Sequence, residues 1–571
     1  LRDIAGTGRF ASEYIVATKS FNNLDITTGI GWGDLANEGG YGSPFSFISN
    51  TFKIRSTIGG EGGSFNYNSW FSGEASIFGG LEYQLRKYGL RLKVEYDTSN
   101  PDKSVNPVDV DSRFNFGVEY HMSKNLNLGL SFERGSEFRL SFALLGNFSE
   151  DTLRKPKPKR VQKLNQDQIN KSVQDKGIFF RSLNKSLQDE RIYIQGANYE
   201  NNKVDLAVAS SRFSSVPRIA GRAARIASAL SSDTVDIINV HVMNGNFETV
   251  KFQINRKQLD KANSNLIGID ELIATTYLTS SSDKPLMNTS SFQPIVNFPE
   301  FEWNMSPALK HQIGGPEGFY LGQLWWKTDI SMKFTRNISL YTSFGIDIYN
   351  NFNNFRNASN STLPHVRSDI QSYLDEGKNN IQRFKLEYMG SPYKNVFVRG
   401  DFGIIEEMFG AVGGEVLYRP FNKRYALGLT LHKVKQRDYD QRFSFRDYET
   451  VTGHLGLYYD FPKQVSAQLL MGKYLAKDKG VSLDLSKRFN SGFALGIFAT
   501  KTNLSAEEFG EGSFDKGFYF SIPTKLFYTD YRTGVISWGL HPLTKDGGAL
   551  MYNHNSLFSI LGNSNQDSIL E

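Results

Sequence analysis

The runs LRLKVEY at Leu90–Tyr96 and FNFGVEY at Phe114–Tyr120 decide the fold. In the first, Leu90, Leu92, Val94 and Tyr96 alternate with Arg91, Lys93 and Glu95; in the second, Phe114, Phe116, Val118 and Tyr120 alternate with Asn115, Gly117 and Glu119. A period of two with one apolar and one polar face marks a strand buried on a single side. The period returns beyond residue 300, in Leu427, Leu429 and Leu431, in Leu455, Leu457 and Tyr459, and in Phe493, Leu495 and Ile497. Two β regions therefore flank a middle segment of different character.

The connections alternate between short turns and long polar loops. Short turns fall at Phe21–Asn23, Lys87–Gly89, Ser123–Asn125, Thr335–Asn337, Ser391–Asn395, Asn422–Arg424, Phe461–Gln464 and Arg488–Gly492. Longer loops include Asp34–Trp70, Asp97–Asp111, Asn350–Asn380, Gln436–Glu449 and Asn503–Asp515. Short turns at one end and long loops at the other are the habit of outer-membrane barrels, whose short turns are periplasmic. Tyr and Phe near strand ends (Tyr83, Tyr88, Tyr120, Tyr388, Tyr393, Tyr418, Tyr458, Tyr459, Phe461) read as interface girdles beside Lys- and Arg-bearing turns. A soluble sandwich also alternates; a propeller is disfavoured because no blade-length repeat appears.

Composition agrees with a strand-rich chain. The 571 residues hold 44 Phe, 27 Tyr, 6 Trp and 52 Gly. Mean hydropathy is −0.40, and no uncharged apolar run approaches the roughly 18 residues of a membrane helix, so a helical membrane bundle is excluded. With no cysteine there are no disulfides, thiolate metal sites or cysteine nucleophiles. A balance of 65 basic to 59 acidic residues gives +6, too even to indicate nucleic acid.

The expected fold is mainly β: two tandem transmembrane antiparallel barrels around a small periplasmic α/β module. Residues 1–150 supply the first barrel, 151–163 a basic Pro-containing linker, 164–298 the module, and 299–571 a second barrel of about 12–14 strands. Twelve of those strands are read between Phe319 and Leu540. An upward strand near Glu300–Leu309 and a downward one near Ala549–Leu561 would complete fourteen. The first region reads as seven strands, the first and last both running toward the periplasm. Bacterial barrels have even strand counts, so the first barrel is expected to be N-terminally incomplete, with strands supplied upstream of Leu1 or by another chain. In the module, Val204, Leu206 and Val208 form a strand. Ser215 caps a helix entered at Pro217, and Asn244–Gly245 turns a hairpin between Val235–Met243 and Phe247–Ile254.

Alternation also names the residues facing a barrel interior: Asp347, Lys385, Glu387, Arg399, Asp401, His432, His454 and Tyr458. Mixed charge with aromatics suits a hydrated sugar chain and equally a packed, closed interior. His432 and His454 lack metal spacing and are read as interior hydrogen-bonding groups. Arg437, Asp438, Asp440, Arg442, Arg446 and Asp447 alternate sign among aromatics, a pattern for an inward plug or constriction as much as for a solvated loop. Arg218, Arg222 and Arg225 form a basic stripe on a helix, read as a solvated face or as a contact for an anionic polymer or lipid headgroup. Glu406 and Glu407 are adjacent at a strand end and so point apart, which argues against a cooperating carboxylate pair. No catalytic, cofactor or metal site is read, and an enzyme is not expected.

Longer strings carry a resemblance: LRDIAGTGRFASEYIVA at Leu1–Ala17, IGGPEGFYLGQLW at Ile313–Trp325, LPHVRSDI at Leu363–Ile370, EEMFGAVGGEVLYRPF at Glu406–Phe421, QRDYDQRFSFRDY at Gln436–Tyr448, AEEFGEGSFDKGFYFSIP at Ala506–Pro523 and HPLTKDGGAL at His541–Leu550. With these the chain resembles the YjbH/GfcD-like outer-membrane proteins of exopolysaccharide and group 4 capsule gene clusters. The resemblance covers most of the chain outside 151–290. It implies tandem outer-membrane barrels in a Gram-negative envelope, linked to guiding or releasing polysaccharide, with outer-membrane lipid, polysaccharide and other secretion proteins as partners. A passive porin and a plugged scaffold anchoring an envelope complex are the alternatives.

Overall fold

A computed structural model describes residues 1–2, 10–55, 67–100, 110–150, 153–156, 161, 164–200, 202–280, 284–315, 318–354, 361–510, 514–541, 545–554, 556–562 and 564–570. Most of the basic linker (157–160 and 162–163), the loop tips at 56–66, 101–109 and 355–360, and residues 3–9 of the first quoted string lie outside these. Two compact units result: Leu1–Asn147 with Leu504–Asp515, and Phe148–Asn503 with Lys516–Glu571. Among the described residues no helix is long and apolar enough to cross a membrane.

The first unit is a seven-stranded meander: Ser12–Phe21, Leu24–Gly33, Ala75–Leu85, Leu90–Tyr96, Phe114–His121, Leu126–Glu133 and Glu137–Leu144. Each strand pairs antiparallel with the next in sequence. Leu92, Phe116, Val118 and Leu130 are exposed on one face, while on the other Lys93 bridges Glu119 at 2.6 Å and Glu82 at 3.5 Å. Among the described residues no ladder joins the first of these strands to the seventh. The loop after Leu24–Gly33 is anchored by Arg55, which meets Glu13 at 2.8 Å, and by Phe45 stacked on Trp32.

The α/β module lies in the second unit. Its five-stranded sheet runs in the order Tyr277–Ser280, Phe247–Asn255, Ile237–Asn244, Lys203–Ser210, Ile192–Glu200. Lys203–Ser210 and Ile237–Asn244 pair in parallel because helix Val216–Leu230 carries the chain between them. Ile219, Ala223, Ile226 and Leu230 of that helix are buried with Leu206, Val208, Val240 and, from helix Lys176–Gln188, Phe179, Leu183 and Leu187. Ser215 stands at the N-cap, but its side chain makes no capping bond; Pro217 inside the first turn sets the entry instead. The Ile237–Asn244 hairpin turns through Gly245 at φ +57°, the left-handed conformation that such a turn requires.

Thirteen strands form the third sheet, each paired with its sequence neighbour: Glu300–Gly315, Gly318–Lys333, Ile338–Asn350, Asn380–Tyr393, Val396–Ile404, Phe409–Tyr418, Tyr425–Arg437, Phe445–Phe461, Val465–Lys473, Lys479–Arg488, Ala494–Thr502, Asp515–Pro523 and Val535–Leu540. The sheet curls enough for Lys310 on the first of these strands to meet Glu407, in the connection between the fifth and sixth, at 2.8 Å. Among the described residues of the expected strand at Ala549–Leu561 no strand forms. Leu557, Phe558 and Leu561 are buried at helical spacing, on one face of a short helix, Leu557–Leu561, capped by Ser556.

The two faces of this sheet invert the soluble pattern. Leu431 is 58% exposed and its neighbour His432 only 4%. Leu427, Leu429, Leu455, Leu457 and Tyr459 are likewise exposed, whereas Lys385, Glu387, Arg399, Asp401 and Glu415 are buried. The module, by contrast, hides its apolar residues in a closed core. Leu206→Ala should cost it about 2–5 kcal/mol. Hydrogen exchange should then accelerate across residues 166–292 and remain unchanged in strands 380–461; equal acceleration in both would show that the two do not unfold separately.

Candidate functional site

Register brings the charged residues of strands 380–461 into two rows on the buried face. Glu387 lies opposite Asp401, then Gly413, then His432; Arg399 lies opposite Glu415, then Thr430, then His454. Lys385 bonds to Glu387. Arg399 meets Glu415 at 3.1 Å and Asp401 at 3.6 Å, and His432 Nε2 lies 3.0 Å from Asp401 Oδ1. Nearer the short turns, Arg419 meets Asp460 at 2.9 Å. Buried charge is tolerated only when paired and hydrogen-bonded, and ion pairs within the sheet supply part of that requirement.

Further bonds come from residues 546–554, 556–562 and 564–570, which run along this face from the long-loop end to the short-turn end. Asp546 opens the series: its carboxylate accepts from the backbone N–H of Val366 (2.8 Å), Arg367 (2.7 Å) and Ser368 (3.0 Å) and from the Ser368 hydroxyl (2.6 Å). Gly548 N–H donates to Asp478, Arg367 donates to the Leu550 carbonyl, and Tyr552 N–H donates to Glu406. Asn553 donates to Asp401 at 2.8 Å and accepts from Lys385 at 3.3 Å. Leu557 N–H donates to both oxygens of Glu415 at 3.0 and 3.1 Å, Asn565 donates to Asp460 at 2.7 Å, and Asp567 pairs with Arg424 at 2.8 Å. The segment ends against the module: Asn244 donates to the Ile560 carbonyl, and Ile569 joins the module's apolar core.

Tyr458 shows how the sheet makes room. Its ring lies over Gly456 and Gly428, where an added Cβ would come within 2.7 and 3.0 Å of it. Phe558 stacks on Tyr458 at 4.2 Å and 17°. Tyr458 is thus buried among apolar side chains rather than in a girdle, whereas Tyr418, Tyr459 and Phe461 are exposed. The other half of the face is more open, with Gln468, Asp484, Ser486, Tyr519 and Ser521 half-buried.

The expected interior residues Lys385, Glu387, Arg399, Asp401, His432, His454 and Tyr458 all fall on this face. Asp347 sits at its margin, accepting from Gln323 at 2.7 Å. His454 departs from its expected role: Nε2 is buried with no hydrogen-bond partner among the described residues, and the ring packs edge-on against Tyr474 at 4.8 Å. Glu406 and Glu407 point apart, to Arg367 and to Lys310 respectively.

The charged run at 437–447 is held by bonds within its loop and to neighbouring connections. Arg437 is fully buried and donates to the carbonyls of Glu406, Glu407, Gln441 and Arg442, which fixes the loop's own shape. Asp438 accepts from Tyr439 N–H; Arg442 and Asp447 are exposed. Arg446 stacks on Tyr439 at 4.2 Å and meets Asp369 at 3.1 Å, clamping the loop to the segment that Asp546 holds. Along the arginine stripe, Arg222 is buried against Glu190, Arg218 is exposed and lies over Tyr531, and Arg225 is half-buried and donates to Asn263. Among the described residues no group of three or more His, Asp or Glu side chains is placed to hold a metal ion.

The residues missed by periodicity are those of the threaded segment, Asp546, Asn553, Phe558, Asn565 and Asp567, together with the sheet residues Glu415, Arg419 and Asp460. HPLTKDGGAL was distinctive as a string, but nothing in its spacing indicates that it opens a segment bonded to several different strands and loops.

Two tests follow from this geometry. Because the chain has no cysteine, a single Ser564→Cys variant, at a buried position of the thread, reports on the thread by maleimide labelling. Adding Asp546→Ala removes four bonds to one carboxylate and should raise the labelling rate several-fold; an unchanged rate would mean that Asp546 does not hold the thread. The second concerns His365, 2.6 Å from Asp369. Burial opposes its charge, but the Ser361 carbonyl and Asp369 outweigh burial and raise its pKa. Burial likewise opposes charge on Asp369, and bonds from Tyr439, His365 and Arg446 lower its pKa. The His365 contribution is therefore complete below the unfolded value of about 6.5 and lost as pH rises through the folded one. That of Asp369 is lost only on acidification. Exchange at 363–376 should accelerate from mildly acidic to alkaline pH beyond its intrinsic trend, and His365→Gln should abolish the excess.

Comparison with known proteins adds a lineage. A family model described as "Exopolysaccharide biosynthesis protein YbjH" matches residues 1–563. The "Uncharacterized lipoprotein YjbH" of Escherichia coli (strain K12) is 33% identical over 559 residues, 96% of this chain and 79% of that protein. Among solved structures, "Salmonella typhi OmpF complex with Daunomycin" aligns with 44% of this chain and 94% of its own at 10% identity, but with a TM-score of 0.24 that carries no structural argument. On the family match and the extended identity, this chain belongs to the YjbH family.

Proposed function

We propose that the chain is an outer-membrane component of exopolysaccharide or capsule secretion, its two large sheets forming parts of tandem β-barrels. One observation carries this reading: the thirteen-stranded sheet exposes Leu427, Leu429, Leu431, Leu455 and Leu457 while burying Lys385, Arg399, Asp401, Glu415 and His432. Such a sheet is costly in water and suits a bilayer, where lipid covers the apolar face and the polar face lines an interior. The exopolysaccharide link rests on family membership. In this reading the protein is not an enzyme and the α/β module is periplasmic, where it meets other secretion proteins. The first sheet is completed by strands beyond those described, and the polar, half-buried side around Gln468, Asp484 and Tyr519 guides polymer past the thread.

The threaded segment favours a closed resting state over a passive porin, and it equally suits a plugged scaffold. Deletion of the gene separates these readings: loss of secreted polymer, restored by the intact gene, supports secretion, whereas unchanged secretion with disturbed assembly of neighbouring proteins supports the scaffold. In planar bilayers the intact chain should conduct poorly and a chain lacking 546–570 should conduct more; high conductance by the intact chain would overturn the closed state. For membrane placement, Leu429→Arg should cost about 2–4 kcal/mol in vesicle-refolded protein if the site lies near the bilayer midplane. A cost near zero would argue against lipid on that face.

A further inference from the structure

The α/β module holds a cavity of about 380 Å³ that neither its core nor the thread fills. Its walls are apolar: Phe252 and Ile254 from one strand, Leu278 from the next, Leu272 from helix Ile269–Ala274, and Ile569 and Leu570 from the end of the thread. At the mouth, Ile269, Ile273 and Leu570 are exposed, a cluster of large apolar residues rather than isolated ones. The volume is within the roughly 300–1,000 Å³ range of small-molecule sites.

One rim is cationic. Helix Val216–Leu230 turns its apolar side to the module's sheet and Arg218, Arg222 and Arg225 toward the cavity, joined by Arg212. Glu190 is shared by Arg212, at 2.6 Å, and Arg222. Arg218 lies 4.7 Å above the Tyr531 ring, and Arg225 donates from Nε to the Asn263 side-chain oxygen at 2.8 Å. Among the described residues neither Arg218 nor Arg225 meets a carboxylate. Burial, reinforced by the neighbouring Arg222 charge, lowers the pKa of Arg225, a cost that an anion at this rim would offset.

We propose that this cavity binds a single-chain amphiphile with an anionic head, the chain lying along Phe252, Ile254 and Leu278 and the carboxylate or phosphate at Arg218 and Arg225. Apolar walls alone would accept any hydrocarbon. Two arginines without carboxylate partners at one end select a charged head and fix its orientation. The site stands independently of whether the large sheets close into barrels, because it is built from the module, the turn bearing Tyr531 and the end of the thread.

The test uses the full chain in amphipol with photoreactive diazirine palmitate and the matching diazirine hexadecanol as probes. Crosslinks mapped by mass spectrometry should fall on peptides containing Phe252–Leu278 or Ile569–Leu570, with the acid labelling at least about tenfold more than the alcohol. An Arg218→Gln/Arg225→Gln double variant should bring acid labelling down to the alcohol level while leaving alcohol labelling unchanged, so a misfolded variant is recognised by loss of both. Competition by lysophosphatidylglycerol would assign a phosphate-headed lipid, and competition by unlabelled palmitate alone a fatty acid; either supports the site. Equal labelling by acid and alcohol in the unaltered chain, labelling elsewhere, or equal competition by inorganic phosphate alone would overturn it.

Discussion

The pairing of buried charge is the constraint on which the second unit depends. Strands 380–461 present cations and carboxylates on a face with little access to water, and each must find a partner or destabilise the sheet by several kcal/mol. Cross-strand pairs such as Arg399–Glu415 answer part of the demand. The threaded segment answers the rest with neutral amide donors, from Asn553, Leu557 and Asn565, each placed on a carboxylate that already holds a cation or histidine. Neutral donors add hydrogen bonds to these carboxylates without changing the charge balance of the face, so the thread and the sheet stabilise each other's polar groups.

The same economy explains two glycines of the buried face. Tyr458 fits because Gly456 and Gly428 leave its ring a flat bed, and Phe558 then closes the other side. Between the ionic rows and the short turns the face thus changes from polar to aromatic. The thread changes with it, from irregular and polar around Asn553 to helical and apolar at Leu557–Leu561. Sequence and environment match position by position along the run.

Much of the architecture was legible because strands report themselves by a period of two. The seven strands between Ser12 and Leu144 and the twelve between Gly318 and Leu540 follow directly from alternation, as does the shared buried face of Lys385, Asp401 and His432. Short turns of Asn, Lys and Gly fixed the hairpin order. The thread was not legible for a physical reason: its partners are distant in sequence and its own conformation is irregular, so no local period records it. Leu557, Phe558 and Leu561 resembled a final strand because apolar residues close together fit either period over so short a span. The 437–447 run stayed open to two readings, since alternating charge suits a plug as well as a solvated loop, and its spacing does not record that Arg437 spends its donors on carbonyls of its own loop and of Glu406 and Glu407. In the module, helix Val216–Leu230 was readable from its apolar face, but the parallel pairing of Lys203–Ser210 with Ile237–Asn244 depends on topology that spacing does not encode.

A chain without cysteine cannot lock a threaded segment covalently. Asp546, Asn553, Leu557, Asn565 and Asp567 each hold through a few bonds set one after another along the path, and the far end is seated in the module at Ile569. Tension applied by the module would therefore load these contacts in series, beginning at Asp567 and Asn565, so that the segment yields link by link, as a zipper does, rather than all at once. Pulled from the opposite end, the same links would meet the load in reverse order, with the Asp546 anchor and its four bonds first. Withdrawal toward the module thus meets its firmest attachment last, which gives the threaded segment a mechanical polarity.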